Sequence, residues 1–271
     1  MLHKDCFIDL PEIELPFTYK DILTDLDYEI LETKISPNHN TKSENILWFG
    51  QQSQINTNIR AREVSLLGLI TNLKIMDEIK HFTNKVFCKG IIEHNTHKTG
   101  KVITGVTLIT FSQNTPWHRE GFNPEWTSPD YEERFHTAYP FRRFNYAINF
   151  PLYTENSDTT KVEFARFKSP IGAIEQNLHT KLLDNDSLEE QSDGVKISPA
   201  LDQITDEKKW QNHIEVLDTK HKYDCPYVIN LSSYHKVHTT DATRLSLRLM
   251  GSHKYCWRDI ETSYTNGQLL N

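Results

Sequence analysis

The sequence has no apolar run near the roughly 20 residues that a membrane-crossing helix needs. Its first residues, Met1-Leu2-His3-Lys4-Asp5-Cys6, lack the apolar core of a secretory leader. Cysteine is scarce. Cys6, Cys88, Cys225 and Cys256 lie far apart with no CxxC spacing, which argues against a disulfide framework or a zinc knuckle and makes the reducing cytoplasm the expected compartment. There is no basic run, and a net charge of −7 disfavours broad nucleic-acid binding. Also missing are a GxGxxG fingerprint, a Walker loop, a GxSxG elbow and any internal repeat.

Aromatic residues are plentiful: 13 Phe, 11 Tyr and 5 Trp in 271 residues. Such a chain folds rather than staying disordered, and it is long enough for one large domain or two small ones. Over residues 62–83, Leu66, Leu69, Ile70, Leu73, Met76 and Ile79 recur at spacings of three and four, which predicts a helix with one buried face.

From Val86 the pattern becomes β. Segments 102–111, 144–150, 161–167, 227–231 and 243–249 are rich in β-branched and aromatic residues. The last alternates strictly, with Leu245, Leu247 and Leu249 on one side and Arg244, Ser246 and Arg248 on the other. Many short strands without a βαβ rhythm predict a mainly β chain with flanking helices, a β-sandwich or jelly roll. Residues 1–85 are expected to form a mixed, helical support region and residues 86–271 the β domain. A polar insertion near 175–211 carries Asp184, Asp186, Glu189, Glu190 and Asp193. Its acidity reads as a solvated surface, part helix and part loop, with a lid over a site as the sharper alternative.

The chemistry concentrates at Pro116-Trp117-His118-Arg119-Glu120. Pro116 stiffens the backbone just ahead of the pair. On extended chain, residues i and i+2 point the same way, so His118 and Glu120 aim into one cavity. A third ligand, His235, follows the strand 227–231. Two imidazoles and one carboxylate form the facial set of non-haem Fe(II) oxygenases, and also suit Mn(II), Co(II) or Zn(II). Arg244 opens the next strand with Ser246 beside it. A guanidinium grips a carboxylate by two parallel hydrogen bonds, and the hydroxyl adds a third. Two registers stay open at this point: His235 with Arg244, or His238 with Arg248. The Arg-bearing face of that strand suits a polar cavity and open water equally.

Three blocks together resemble the 2-oxoglutarate/Fe(II)-dependent oxygenases, in particular the aspartyl/asparaginyl β-hydroxylase-like branch. They are the strand leading into Pro116–Glu120, the run Arg143-Phe144-Asn145-Tyr146-Ala147-Ile148-Asn149-Phe150-Pro151-Leu152, and Pro226–Asn230 followed by His235-Lys236-Val237 and Arg244-Leu245-Ser246-Leu247. The resemblance implies a double-stranded β-helix (a cupin-like jelly roll). It puts iron on His118, Glu120 and His235, and the C5 carboxylate of 2-oxoglutarate on Arg244 and Ser246, with Asn149 and Arg248 as further co-substrate residues. It also implies O2 as oxidant, ascorbate as reductant in vitro, and hydroxylation of a C–H bond in a small-molecule or peptide substrate. Two features depart from the family: Glu120 stands where many members have Asp, and the segment Gly121–Arg142 is longer than usual. Its Trp126, with Trp117 and Arg143, forms a candidate substrate rim. Two other readings compete: a non-catalytic jelly-roll binding module in which Trp117, Trp126 and Tyr131 stack on a sugar or peptide, and a cupin-like metalloenzyme that uses no 2-oxoglutarate.

Overall fold

The computed structural model describes residues 6–18, 21, 46–47, 73–92, 95–96, 102–103, 105–111, 115–121, 134, 144–154, 161–185, 190–198, 201–221, 223–238 and 242–271. In chain order the described elements are β1 (Phe7–Asp9), β2 (Ile46–Leu47), α1 (Leu73–Val86), β3 (Asn95–Thr96), β4 (Val102–Ile103), β5 (Gly105–Phe111), β6 (His118–Arg119), β7 (Tyr146–Thr154) and β8 (Lys161–Phe167). They continue with α2 (Ile171–Asn185), β9 (Glu190–Ser192), β10 (Val195–Ile197), β11 (Asp202–Ile204), α3 (Glu207–Trp210), β12 (Ile214–Lys220), β13 (Tyr227–Asn230), β14 (Tyr234–His238), β15 (Ala242–Met250) and α4 (Trp257–Thr265).

The chain is mainly β, built on two large antiparallel sheets. One has the order β1-β13-β7-β15-β5-β2 and the other β12-β8-β14-β6-β11-β10-β9, while β3 and β4 form a separate pair. This arrangement is consistent with a jelly roll. The N-terminal segment lends strands to the first sheet, since β1 pairs with β13 and β2 with β5.

Period-two alternation sorts the side chains into layers. Ile148, Phe150, Val228, Leu247 and Leu249 turn outward to pack with Ile79, Trp257 and Ile260 of α1 and α4. The next residues along the same strands, Ala147, Tyr227 and Ile229, turn inward and meet Val162, Phe164 and Val237 of the second sheet. On that sheet's far face, Ala165, Phe167, Val195, Ile197 and Ile204 pack with Ile171, Leu178 and Leu182 of α2. Each fully buried Phe, Leu or Ile contributes about 1.5–3 kcal/mol, so three apolar layers hold the two sheets and their helices in register.

Several expectations need adjusting. The helix expected over 62–83 is described only from Leu73 and runs on to Val86; residues 62–72 lie outside the described residues. The single strand expected over 102–111 is split. Val102–Ile103 pairs with β3, whereas Gly105–Phe111 joins the large sheet beside β15. Strand β7 extends past Pro151 to Thr154, with a register shift opposite Leu245 and Ser246. Proline has no N–H for the ladder, and a bulge accommodates it. The acidic insertion is part helix, as expected, and its Asp184 and Asp193 are exposed. It continues into strands rather than loop alone, and β11 pairs directly with β6.

Candidate metal centre

Strand β6 is only two residues long, yet it is hydrogen-bonded on both sides. His118 stands opposite His235 of β14 on one flank and opposite Gln203 of β11 on the other. Directly opposed residues in an antiparallel ladder project from the same face. The two imidazoles therefore meet between the sheets, ring centroids 4.2 Å apart. Glu120, two residues on from His118, projects the same way. Its backbone N–H donates to Leu231 O at 3.1 Å, and that of Gly121 donates to the same oxygen at 2.7 Å. One carbonyl at the end of β13 thus fixes the backbone that carries the carboxylate. The ligand atoms of His118, Glu120 and His235 lie within 4.8 Å of one another, a group able to hold a metal ion.

The protonation states suit a divalent cation. Nδ1 of His118 lies 2.9 Å from Pro116 O, and Nδ1 of His235 lies 3.0 Å from Ser233 O. A carbonyl oxygen only accepts, so each Nδ1 carries the proton and donates, and each Nε2 keeps its lone pair for a ligand bond. Burial lowers the pKa of His118. Burial, followed by the nearby His118, pushes His235 down to about 3. Burial pushes the Glu120 carboxyl up, but Arg248, His235 and His118 together outweigh it and hold the group at about 2. The set at neutral pH is two neutral imidazoles and one carboxylate, with no proton to expel on coordination.

Across the hollow, Arg248 Nη1 donates to Glu120 Oε2 at 2.7 Å, and its Nε donates to Asn149 Oδ1 at 2.9 Å. The register explains this: Arg248 stands opposite Asn149, as Ser246 stands opposite Pro151 on the same face. Asn149 Nδ2 and Ser246 Oγ are buried with no hydrogen-bond partner. Buried polar atoms are rarely left this way, so both are free for a polar ligand seated beside the three-residue group.

The remaining candidate residues fall as follows. Arg244 sits on the same strand face four residues before Arg248, opposite Ile109 and Thr154; its side chain lies outside the described residues. Trp126 and Arg143 also lie outside them. Trp117 is not on a rim. It is 4% exposed and packs edge-on against Phe167 in the layer beneath α2, because the residue before an inward-facing His118 must face outward. His238, three residues past His235, is likewise on the opposite face, its Nε2 2.6 Å from Glu163 Oε2. Among the described residues, Arg248 is the arginine that reaches Glu120.

Sequence reasoning missed the residues behind the group. Arg119 is 1% exposed and directed away from the cavity. Its Nε donates to Asp202 Oδ2 at 2.7 Å and its Nη2 to Glu175 Oε2 at 2.9 Å. His179 Nε2 lies 3.2 Å from Asp202 Oδ1; a carboxylate oxygen accepts, so Nε2 donates. Burial alone would lower the guanidinium's pKa, but Glu175 and Asp202 reverse this and raise it. The signal was present in the period-two logic. If His118 and Glu120 face in, Arg119 faces out into a layer of Trp117 and Phe167, where a cation requires acidic partners.

No known family profile and no curated sequence matches the chain. Among solved structures it is similar to a prolyl-4-hydroxylase of Pseudomonas putida, with 13% identity, 91% of each chain covered and a TM-score of 0.34. It is also similar to IDO of Bacillus thuringiensis, with 13% identity, 92% of this chain and 93% of the other covered and a TM-score of 0.24.

Proposed function

We propose that this chain is a 2-oxoglutarate- and Fe(II)-dependent oxygenase on a double-stranded β-helix, hydroxylating an unactivated C–H bond of a small-molecule or peptide substrate. The observation that carries the reading is the convergence of His118, Glu120 and His235 between the two sheets, both Nε2 atoms free and the carboxylate ionised. Such a donor set fits Fe(II), with the remaining coordination positions open. Held by His118, Glu120 and His235, Fe(II) would supply oxygen activation, with O2 as the oxidant and 2-oxoglutarate as the two-electron co-reductant converted to succinate and CO2.

The chain's own residues supply orientation. Arg248, Asn149 Nδ2 and Ser246 Oγ present one cation and two unpartnered polar groups on a single strand face beside the group. In this reading they contact bound 2-oxoglutarate. Arg244, about 13 Å further along the strand at 3.3 Å per residue, takes the C5 carboxylate with Ser246. Phe164, its ring centroid 6.1 Å from that of His235, helps keep water from the cavity floor. Residues 86–271 form the catalytic domain and residues 1–85 its support, with β1 and β2 completing one sheet. The cysteines described are all free thiols, as suits work in the cytoplasm. Glu120 keeps the carboxylate position filled, which favours hydroxylation over halide transfer.

The test is succinate release from 2-oxoglutarate in the presence of Fe(II), ascorbate and O2, for the wild type and His118→Ala. The wild type should turn over 2-oxoglutarate above the variant's background; equal rates would overturn the proposal. Mn(II) binding with no thermal response to 2-oxoglutarate would indicate a cupin-like metalloenzyme instead. Absence of both responses would indicate a binding module.

A further inference from the structure

The cluster behind the metal-binding group is costly to build. Arg119 is 1% exposed, Glu175 and Asp202 are 0% and His179 is 2%. Charges taken this far from water lose their hydration, and their mutual attraction only roughly repays it. Replacing such a cluster with apolar side chains of similar volume is commonly neutral or stabilising. The surroundings are already apolar: Trp117, Phe167, Leu178, Val195 and Ile204 pack in the same layer. An all-apolar solution was available, so stability alone does not account for these four residues.

Their placement supplies another account. Arg119 lies between His118 and Glu120, so its backbone is the backbone of both. Its guanidinium carbon also sits 5.1 Å from the centroid of the Tyr234 ring, and Tyr234 immediately precedes His235. One side chain thus bears on β6 and β14, the strands that carry His118 and His235, with Glu120 following directly on β6. The carboxylates that fix it come from the insertion, Glu175 on α2 and Asp202 on β11. The insertion strand is also tied to the motif by backbone: Ile204 N–H donates to Trp117 O at 2.8 Å, and Asp202 pairs with Arg119. A planar guanidinium held by two separate carboxylates is fixed more firmly than an apolar side chain or a single ammonium.

We infer that Arg119 is a positioning residue. Clamped by Glu175 and Asp202, with His179 orienting Asp202, it braces β6 and β14 from behind and sets the spacing of His118, Glu120 and His235. The insertion is then a splint for the metal-binding group rather than a lid over it. This rests on the metal-binding reading for its purpose, but not for its geometry.

The test replaces the cluster in the full chain with Arg119→Met, Glu175→Leu, His179→Leu and Asp202→Leu together, and compares it with Arg119→Lys and the wild type. Two measurements are made: Co(II) binding followed by its visible absorption, and amide hydrogen exchange at Glu120 and Gly121 relative to Ala147–Phe150 in β7. In the fourfold variant the melting temperature should hold. Co(II) affinity should fall about 10–100-fold, the range for lost supports of metal ligands, with a changed absorption envelope. The Glu120 and Gly121 amides should exchange faster while β7 stays protected. Arg119→Lys should fall between the two proteins. Unchanged affinity, spectrum and exchange in a folded fourfold variant would overturn the inference. Should that variant not fold, Arg119→Lys decides, and wild-type behaviour in all three readouts overturns it. A wild type that binds no Co(II) would refute the metal-binding reading alone, because the exchange comparison needs no metal.

Discussion

Gly121→Ala tests how tightly the carboxylate-bearing turn is held. A Cβ at this position would lie 2.9 Å from Phe144 O, 3.0 Å from Leu231 C and 3.0 Å from Ser232 N. All three are backbone atoms, so no side chain can swing aside. Forcing a methyl group into packed surroundings costs about 1–3 kcal/mol. The cheapest relief is for residues 120–121 to move off Leu231, stretching the 3.1 Å and 2.7 Å bonds to its carbonyl oxygen. One lost hydrogen bond costs about 1 kcal/mol. The sum is about 2–4 kcal/mol; at about 2–4 °C per kcal/mol for a domain near this size, the melting temperature should fall by about 4–16 °C. The displacement carries Glu120 with it, so Mn(II) affinity should fall by about tenfold. Thermal melting by circular dichroism and Mn(II) titration calorimetry measure the two effects. A variant that melts within about 1 °C of wild type and binds Mn(II) equally well would refute the close packing of Gly121 against Leu231 and its link to Glu120.

Arg248→Met removes the bonds to Glu120 and Asn149, and charge-assisted bonds of this kind are worth about 1.5–3 kcal/mol. 2-Oxoglutarate affinity in the Mn(II) form should fall by roughly 10–150-fold, measured by calorimetry. Mn(II) at a hundred times its Kd should stabilise the wild type by about 2.7 kcal/mol, about 5–10 °C in melting temperature; EDTA should reverse the shift and His235→Ala should abolish it. Without metal, acid should weaken the fold in two stages. His118 and His235 stay neutral when folded but take up protons when unfolded, so stability falls as pH drops below the ordinary imidazole value toward about 3. Glu120, held at about 2, contributes stability that is present above 4.5 and lost as pH falls from there toward 2. Urea unfolding at a series of pH values should show a shallower slope between pH 6.5 and 4.5 for His118→Gln/His235→Gln than for the wild type.

The strands were legible because alternation of apolar and polar residues is a local property. Lys161–Phe167 and the Leu247/Leu249 face are visible in any window of seven residues. Placing His118 and Glu120 on one side used the same rule, and applying it one residue either way would have put Trp117 in the core and given Arg119 buried acidic partners. What sequence could not show was which acids. Glu175 and Asp202 look like members of a solvated acidic stretch, and only long-range pairing of β11 with β6 turns them inward. The contact of Arg248 with Glu120 was hidden for a similar reason. It depends on the register of β15 against β7, which the bulge near Pro151 shifts, and a register is a relation between segments rather than a property of either.

The pairing of β11 with β6 also bears on any effort to shorten this protein. Residues 171–206 look dispensable when compared with a minimal two-sheet sandwich, yet deleting them would strip one flank from a two-residue strand and leave β14 as its remaining ladder neighbour among the described residues. His118 would then sit on an open margin with unpaired backbone groups facing water, inviting a neighbouring molecule to dock there strand to strand. A trimmed version should self-associate before it loses its remaining sheets, with clumping beginning at its most chemically valuable edge.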